Sequence, residues 1–318
     1  MIEQHGADEI DDATQDAADR EGQEHGHLAD LGGVPSWYED IFPAGDCDGF
    51  YHKLGNHAVA CVERRTDQLV VSFDNLSDAG HPGYDKEAWA SAFCRYNNWS
   101  HMGVFTQDPS WFRSARLISF LENLRHDGFF RRFDNITFCG TSMGAFAALA
   151  FAGLAPGCNV IAFSPQTTLI RERVPWEDRF VKADAQDWTL PYSDAALSTR
   201  QAGKVYLVYD PFHINDSKQV HRLKGENLVY LRAPGLGHRT ALALNRMQAL
   251  KPVMGEGIFG TLTRESFAAM IRGRGELALY RVNMERYMGE RGCSDRVSWL
   301  NRAHWRRGKR AQRRKGRR

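Results

Sequence analysis

The chain has 318 residues, of which 42% are hydrophobic, and this apolar content supports a sizeable core and excludes a protein that is disordered throughout. Its six cysteines are too few for a miniprotein built on disulfides, and they never form a CxxC pair, which argues against a structural zinc site. No apolar run approaches about 18 residues, and the N-terminus lacks the basic-then-apolar pattern of a signal peptide. We therefore expect a cytoplasmic protein without a transmembrane helix.

Charge is distributed very unevenly along the chain. The formal net charge is only +2, yet residues 1–50 carry 14 acids and one base, Arg20, whereas nine of the thirteen residues 306–318 are Arg or Lys. Both ends are poor in apolar residues, which predicts disordered tails over residues 1–36 and 304–318. The basic tail is interpreted either as a contact for an anionic partner or as a solvated extension.

Strands and helices are predicted between the tails. In chain order they are strand runs at 51–63 and 68–73, a helix at 86–96, a strand at 101–105, a helix at 111–127, a strand at 135–139, a helix at 145–154, a strand at 159–163, a helix at 195–202, a strand at 204–209, a helix at 217–223, a strand at 227–231, and helices at 240–250, 264–272 and 276–287.

The order of these elements indicates the fold class. Strands alternate with helices from about residue 100 to 250, which predicts an α/β fold with a mostly parallel central sheet flanked by helices. Two adjacent strand runs open the sequence and suggest an antiparallel edge. We expect an α/β domain at 37–250, followed by a helical C-terminal extension at 251–303.

The motif G-x-S-x-G occupies residues 140–144, between a predicted strand and a predicted helix. Glycines two residues on either side of Ser142 allow the strand to turn sharply into the helix while the hydroxyl stands clear of the sheet. The backbone N–H groups at the start of the helix favour developing negative charge. The motif predicts a nucleophile at Ser142, and the alternative is a Gly-rich turn with an ordinary capping serine.

A nucleophilic serine needs a base, which a third side chain orients. In a strand–turn–helix setting of this kind the acid and the histidine follow the serine along the chain. The stretch PGLGH after the last predicted strand ends in His238, and its glycines allow a loop to approach the serine closely. His238 is therefore the candidate base, and His213 and His221 are weaker rivals.

Two aspartates are candidates for the acid. Asp210 ends the strand KVYLVYD, and Asp216 lies six residues later in the sequence PFHIND. We favour Asp216, because the acid usually lies in the loop a few residues beyond the strand. Asp210 stays the alternative acid, although Asp-Pro also favours the start of a turn, and Asp216 has an alternative role as a helix N-cap.

An oxyanion hole needs two backbone N–H donors near the developing negative charge. The N–H of Met143, directly after the serine, is the first candidate. The second usually comes from a loop after an earlier strand, which here is the loop after residues 68–73. We expect this donor to be Asn75.

These residues together resemble the α/β-hydrolase superfamily. The resemblance covers about residues 50–250 and is carried by CGTSMGAFAAL, VYLVYDPFHIND and PGLGH in the order of that family. The stretches SPQTTL and NNWSHMGVF look like those of poorly characterised bacterial members, some of them linked to surface-polysaccharide gene sets. One departure is that the loop around Asn75 lacks the HGGG string of lipases and esterases.

The resemblance implies a serine esterase or acyl hydrolase that needs no cofactor and no metal. Its substrate would be a small ester or thioester, such as an acyl group on a sugar, and its catalytic triad would be Ser142, Asp216 and His238. A different function is also open: a protein that keeps the fold without activity and binds an anionic partner through its Arg-rich C-terminus.

Overall fold

An eight-stranded sheet forms the centre of the computed structural model, which describes residues 34–76 and 86–293. The strand order is β1-β2-β4-β3-β5-β6-β7-β8. The strands are β1 (Asp48–Leu54), β2 (His57–Glu63), β3 (Gln68–Phe73), β4 (Ser100–Thr106), β5 (Asn135–Thr141), β6 (Asn159–Phe163), β7 (Val205–Tyr209) and β8 (Leu228–Arg232). The strands from β3 to β8 run parallel, while β2 pairs antiparallel with both β1 and β4, and the predicted mostly parallel sheet is thus confirmed.

The antiparallel edge of the sheet is formed by other strands than the two runs that the sequence suggested. The predicted run 51–63 contains two strands, β1 and β2, joined by a turn at residues 55–56 in which Gly55 has a φ of 72°. The two predicted runs do not pair with each other, because β4 lies between β2 and β3. All six residues of β3 are buried, and a strand buried on both faces belongs in the interior of a sheet. The mostly exposed strand β1 takes the edge instead.

Helices cover both faces of the sheet. They are α1 (Ser36–Asp40), α2 (Ser91–Tyr96), α3 (Ala115–His126), α4 (Met143–Ala150), α5 (Ala195–Ser198), α6 (Ile214–His221), α7 (Thr240–Arg246), α8 (Leu250–Ile258), α9 (Arg264–Met270) and α10 (Ala278–Glu290). The hydroxyl of Ser114 accepts a hydrogen bond from the backbone of Leu117, so that α3 begins four residues later than predicted. The predicted helix 240–250 is interrupted at Gln248, whose φ of 58° is not helical. Its residues belong to α7 and to the start of α8.

The core lies on both faces of the sheet, and one cluster of buried apolar side chains covers each face. Helix α4 is buried in all its eight residues, which explains its small side chains, since the helix lies directly against the strands. The predicted helical extension packs on the opposite face. Phe267 of α9 is buried there, and a Cβ on Gly257 of α8 would lie 2.5 Å from the Ile161 side chain of β6.

The division of the chain into four segments stays a prediction. The described residues from Ser36 onward belong to one compact unit. The basic tail at 304–318 and all of the acidic tail except its last three residues lie outside the described residues, as do residues 294–303 of the expected extension.

Candidate functional site

Ser142 stands at the turn between β5 and α4. Its φ of 51° and ψ of −113° are unusual for a residue with a side chain, and such strain is common at functional sites. Both motif glycines are required by close backbone contacts. A Cβ on Gly140 would lie 2.4 Å from the backbone of Gly144, and a Cβ on Gly144 would lie 2.5 Å from the carbonyl oxygen of Phe73.

The structure brings Ser142, His238 and Asp216 together in one chain of hydrogen bonds. The Nε2 of His238 lies 2.9 Å from Ser142 Oγ, and the Nδ1 lies 2.7 Å from Asp216 Oδ2. A carboxylate only accepts, so Nδ1 carries the ring hydrogen and Nε2 is left to accept the serine proton. Ser142 and His238 are partly exposed whereas Asp216 is fully buried, so that the serine and the histidine can be reached from outside while the carboxylate cannot.

Asp216 is held as a carboxylate by the groups around it. Burial acts to raise its pKa, but His238, His213 and Arg179 outweigh burial and hold that pKa well below its usual range. The guanidinium of Arg179 donates to Asp216 Oδ1 at 2.9 Å, and it also binds the buried carboxylate of Glu177. One carboxylate oxygen of Asp216 thus accepts from the imidazole of His238, and the other accepts from the guanidinium of Arg179.

The start of helix α6 explains where Asp216 lies. The helix begins at Ile214, three residues before the predicted start, because the His213 side chain accepts from the backbone N–H of Asp216 as the N-cap. Asp216 is therefore a residue of the first turn and not the cap. Burial lowers the pKa of His213 to about 4, so that this histidine is neutral near pH 7. The other rival, His221, makes a hydrogen bond within the same helix.

Asp210 is fully buried but bonds to the backbone beside the histidine. Its Oδ2 accepts from the N–H of Gly237 at 2.8 Å and from the Tyr287 hydroxyl at 3.3 Å, and its Oδ1 accepts from the N–H of Phe212 at 2.9 Å. Burial raises the pKa of Asp210, although these donors act in the opposite direction. Asp210 thus fixes the loop that carries His238.

Helix α10 provides further support for the histidine loop that sequence reasoning missed. Asn283 is buried and donates from Nδ2 to the Gly235 carbonyl at 3.1 Å. Gly235 and Gly237 have φ values of 83° and 69°, in the left-handed region that favours glycine. The buried side chains of α10 are Asn283 and Tyr287, and its apolar Val282 is 56% exposed. The apolar pattern of this helix carried no signal for these polar contacts.

The expected oxyanion donors lie beside the serine turn. Met143 is the first residue of α4, and the N–H groups of a first helical turn have no partner within their helix. The carbonyl oxygens of Phe73 and Asp74 lie against Gly144, which places Asn75 one residue beyond this contact. Asp74 is anchored by a 2.9 Å hydrogen bond from the backbone of Thr106. The assignment of Asn75 as the second donor stays a prediction.

The connection between β6 and β7 folds over this region. The buried guanidinium of Arg113 donates to four of its carbonyl oxygens, which belong to residues Asp187, Leu190, Pro191 and Tyr192. Trp188 packs against Phe146 of α4 with ring centroids 5.5 Å apart. Trp188 therefore packs against the helix that follows the serine turn.

None of the helices in residues 34–76 and 86–293 is long and apolar enough to cross a membrane. Within the same residues there is no group of three or more His, Cys, Asp or Glu side chains arranged to hold a metal ion.

Comparisons with known proteins gave only distant similarities. No family model matches the chain, and no curated protein matches it. Among solved structures, the chain is similar to the capsule O-acetyltransferase of Neisseria meningitidis serogroup A, with 11% identity, a TM-score of 0.45, and coverage of 66% of this chain and 94% of that chain. It is also similar to carboxyl esterase 2 of the fungus Tuber melanosporum, with 13% identity, a TM-score of 0.43, and coverage of 72% and 88%. For the dienelactone hydrolase of Anabaena variabilis the identity is 12%, the TM-score 0.40, and the coverage 68% and 99%.

Similarities of this size show no shared chemistry. The strand order and the serine turn between β5 and α4 nevertheless give the chain a fold of the α/β-hydrolase type, as the sequence resemblance implies.

Proposed function

We propose that this protein is a serine hydrolase that cleaves a small ester or thioester through an acyl-enzyme on Ser142. The observation that carries the proposal is the chain of hydrogen bonds from Ser142 through His238 to Asp216, with distances of 2.9 and 2.7 Å. A serine hydroxyl alone is a poor nucleophile near pH 7, and a neutral imidazole within hydrogen-bond distance is what activates it.

The first half of the reaction forms the acyl-enzyme. Ser142 Oγ attacks the carbonyl carbon of the substrate while His238 Nε2 takes the hydroxyl proton. Asp216 keeps the imidazole in the required tautomer and stabilises the imidazolium that forms. The N–H of Met143 donates to the oxyanion, a contribution of about 3 kcal/mol for a typical donor. The bond to the alcohol or thiol then breaks, and the leaving group takes the proton from His238.

The second half of the reaction releases the acid. Water gives a proton to His238 and attacks the acyl carbon, the bond from that carbon to Ser142 Oγ breaks, and Oγ recovers its proton from the imidazole. The groups that perform these steps are all side chains and backbone of this chain. An acyl group on a sugar is one substrate of the proposed class.

The test is hydrolysis of p-nitrophenyl esters of graded chain length, with Ser142→Ala as the control. We expect release of p-nitrophenol by the wild type, a loss of about 10³-fold or more in the variant, and labelling of Ser142 by a fluorophosphonate probe at pH 8. Activity that is unchanged in Ser142→Ala would reject the site. Absent hydrolysis together with salt-sensitive binding of a polyanion would support the alternative of an inactive binding protein.

A further inference from the structure

A buried glutamine contacts the proposed nucleophile. Gln166 is fully buried, and its Nε2 lies 3.1 Å from Ser142 Oγ. On its other side, the indole N–H of Trp111 donates to Gln166 Oε1 at 3.1 Å. Sequence reasoning used the stretch around Gln166 only for a family resemblance and assigned no role to either residue.

The indole decides which way the amide faces. An indole nitrogen only donates, so the Gln166 oxygen must face Trp111, and the NH₂ group must face Ser142. The serine hydroxyl has a single hydrogen, which points to His238 Nε2, and its lone pairs are left to accept from Gln166. Ser142 Oγ is therefore bound by a base on one side and by a fixed donor on the other.

The backbone on both sides of Gln166 is anchored by buried contacts. The N–H of Ser164 donates to the Val208 carbonyl at 2.7 Å, and the N–H of Thr167 donates to Gln219 Oε1 at 2.9 Å. Trp111 is 1% exposed and packs edge-on against Phe180 with ring centroids 5.6 Å apart. The amide is thus oriented before a substrate arrives, which is the condition for electrostatic preorganisation.

We propose that Gln166 is a further catalytic residue, whose amide N–H, oriented by Trp111 as a positioning residue, stabilises Ser142 Oγ as the leaving group of the acyl-enzyme. The inference rests on the proposed hydrolase function. In deacylation the bond between the acyl carbon and Oγ breaks, the electron pair stays on Oγ, and His238 Nε2 returns the proton. A donor on Oγ stabilises the charge that develops there. During acylation the same atom is the nucleophile, and the donor gives no comparable advantage.

The test separates the two halves of the reaction with p-nitrophenyl acetate. For Gln166→Met, a change that keeps the length but removes the donor, we expect deacylation to be about 10- to 100-fold slower. Because kcat then reports deacylation while kcat/KM reports acylation, kcat and KM should fall together and kcat/KM should change much less. An initial burst of p-nitrophenol should mark the accumulated acyl-enzyme. A fall in kcat with KM unchanged, or no change at all, would overturn the inference.

Two further variants guard against a merely structural effect. Gln166→Leu also removes the amide donor without adding a charge or an acceptor, and it should give the same fall of kcat and KM together if Gln166→Met does not fold. Trp111→Phe keeps an aromatic ring against Phe180 and removes the indole N–H together with part of the indole ring, and the same pattern should be weaker. Combining it with Gln166→Met should add almost nothing, and additive effects would overturn the positioning role of Trp111.

The wild type and Ser142→Ala keep the two proposals apart. If hydrolysis by the wild type does not depend on Ser142, the proposed function fails and this inference fails with it. If hydrolysis depends on Ser142 but the Gln166 variants keep the kcat and KM of the wild type, only this inference fails.

Discussion

Two fully buried aspartates follow strand β7, one directly after the strand and one in the first turn of helix α6, and their surroundings give them opposite properties. Asp216 faces Arg179 and two imidazoles, and these groups hold its pKa well below the usual range. Asp210 accepts hydrogen bonds from neutral donors, and burial raises its pKa. The same type of side chain therefore bonds to the imidazole of His238 from helix α6 and bonds to the backbone of the histidine loop from the end of β7. Neighbouring charges, and not burial alone, decide between these roles.

The largest expected effect comes from exchanging the two carboxylates for amides. Asp216→Asn should lower kcat for ester hydrolysis about 10³- to 10⁴-fold, because the amide favours the wrong tautomer of the imidazole. Asp210→Asn should lower kcat less than about 10-fold, since Asp216 still orients His238. Steady-state rates on one p-nitrophenyl ester, with thermal unfolding to verify the fold, make the comparison. Equal losses in both variants would contradict the division of roles.

The pH dependence of stability should separate the same two residues. A carboxyl whose pKa is lowered on folding contributes stability that is complete above its unfolded pKa and is lost as pH falls through the folded pKa. The contribution of Asp216 should therefore be complete above the ordinary value of 3.8 and shrink at lower pH.

Asp210 should behave in the opposite way, because its pKa is raised. Its contribution should be complete below 3.8 and decline as pH rises through the folded pKa. The measurement is the free energy of unfolding in urea from pH 3 to 7 for the wild type and each Asp→Asn variant. Parallel pH curves for the two variants would mean that the surroundings of these residues do not set their pKa values as the structure indicates.

The sequence pointed to those candidate residues of this region that are marked by their immediate neighbours in the chain. The glycines of G-x-S-x-G pointed to Ser142, and the loop order pointed to His238. It favoured Asp216 and kept Asp210 as the alternative acid, because their spacing along the chain does not show which carboxylate reaches the imidazole. In the structure Asp216 Oδ2 lies 2.7 Å from His238 Nδ1, and its role as the acid of a triad stays a proposal.

Contacts between distant parts of the chain could not be predicted in this way. Asn283 is 48 residues from Gly235, Tyr287 is 77 residues from Asp210, and Trp111 is 55 residues from Gln166. Asn283 and Tyr287 belong to no motif of the sequence. The hairpin of β1 and β2 is different, because it could have been predicted. The Gly-Asn pair within the run 51–63 is a recognised hairpin signal, and the prediction overlooked it.

The smallest expected effect tests the neutral surroundings of Asp210. Tyr287→Phe removes one hydroxyl donor, whose bond to Asp210 Oδ2 is 3.3 Å long, and should cost about 1 kcal/mol of unfolding free energy at pH 7. Since the hydroxyl stabilises the charged form of Asp210, the loss should be smaller at pH 3 than at pH 7. Urea unfolding of the variant and the wild type at both pH values measures this difference.

The matched control is Tyr230→Phe, which removes a hydroxyl that donates to the Leu223 carbonyl at 3.2 Å. Its acceptor does not titrate, so its cost should be the same at both pH values, and kcat should change less than about threefold in either variant because Asp216 still holds the imidazole. If the cost of Tyr287→Phe is as independent of pH as that of the control, then Asp210 is neutral when folded even at pH 7. The loop would in that case be held by a carboxylic acid, and the contrast with Asp216 would be one of protonation as well as of position.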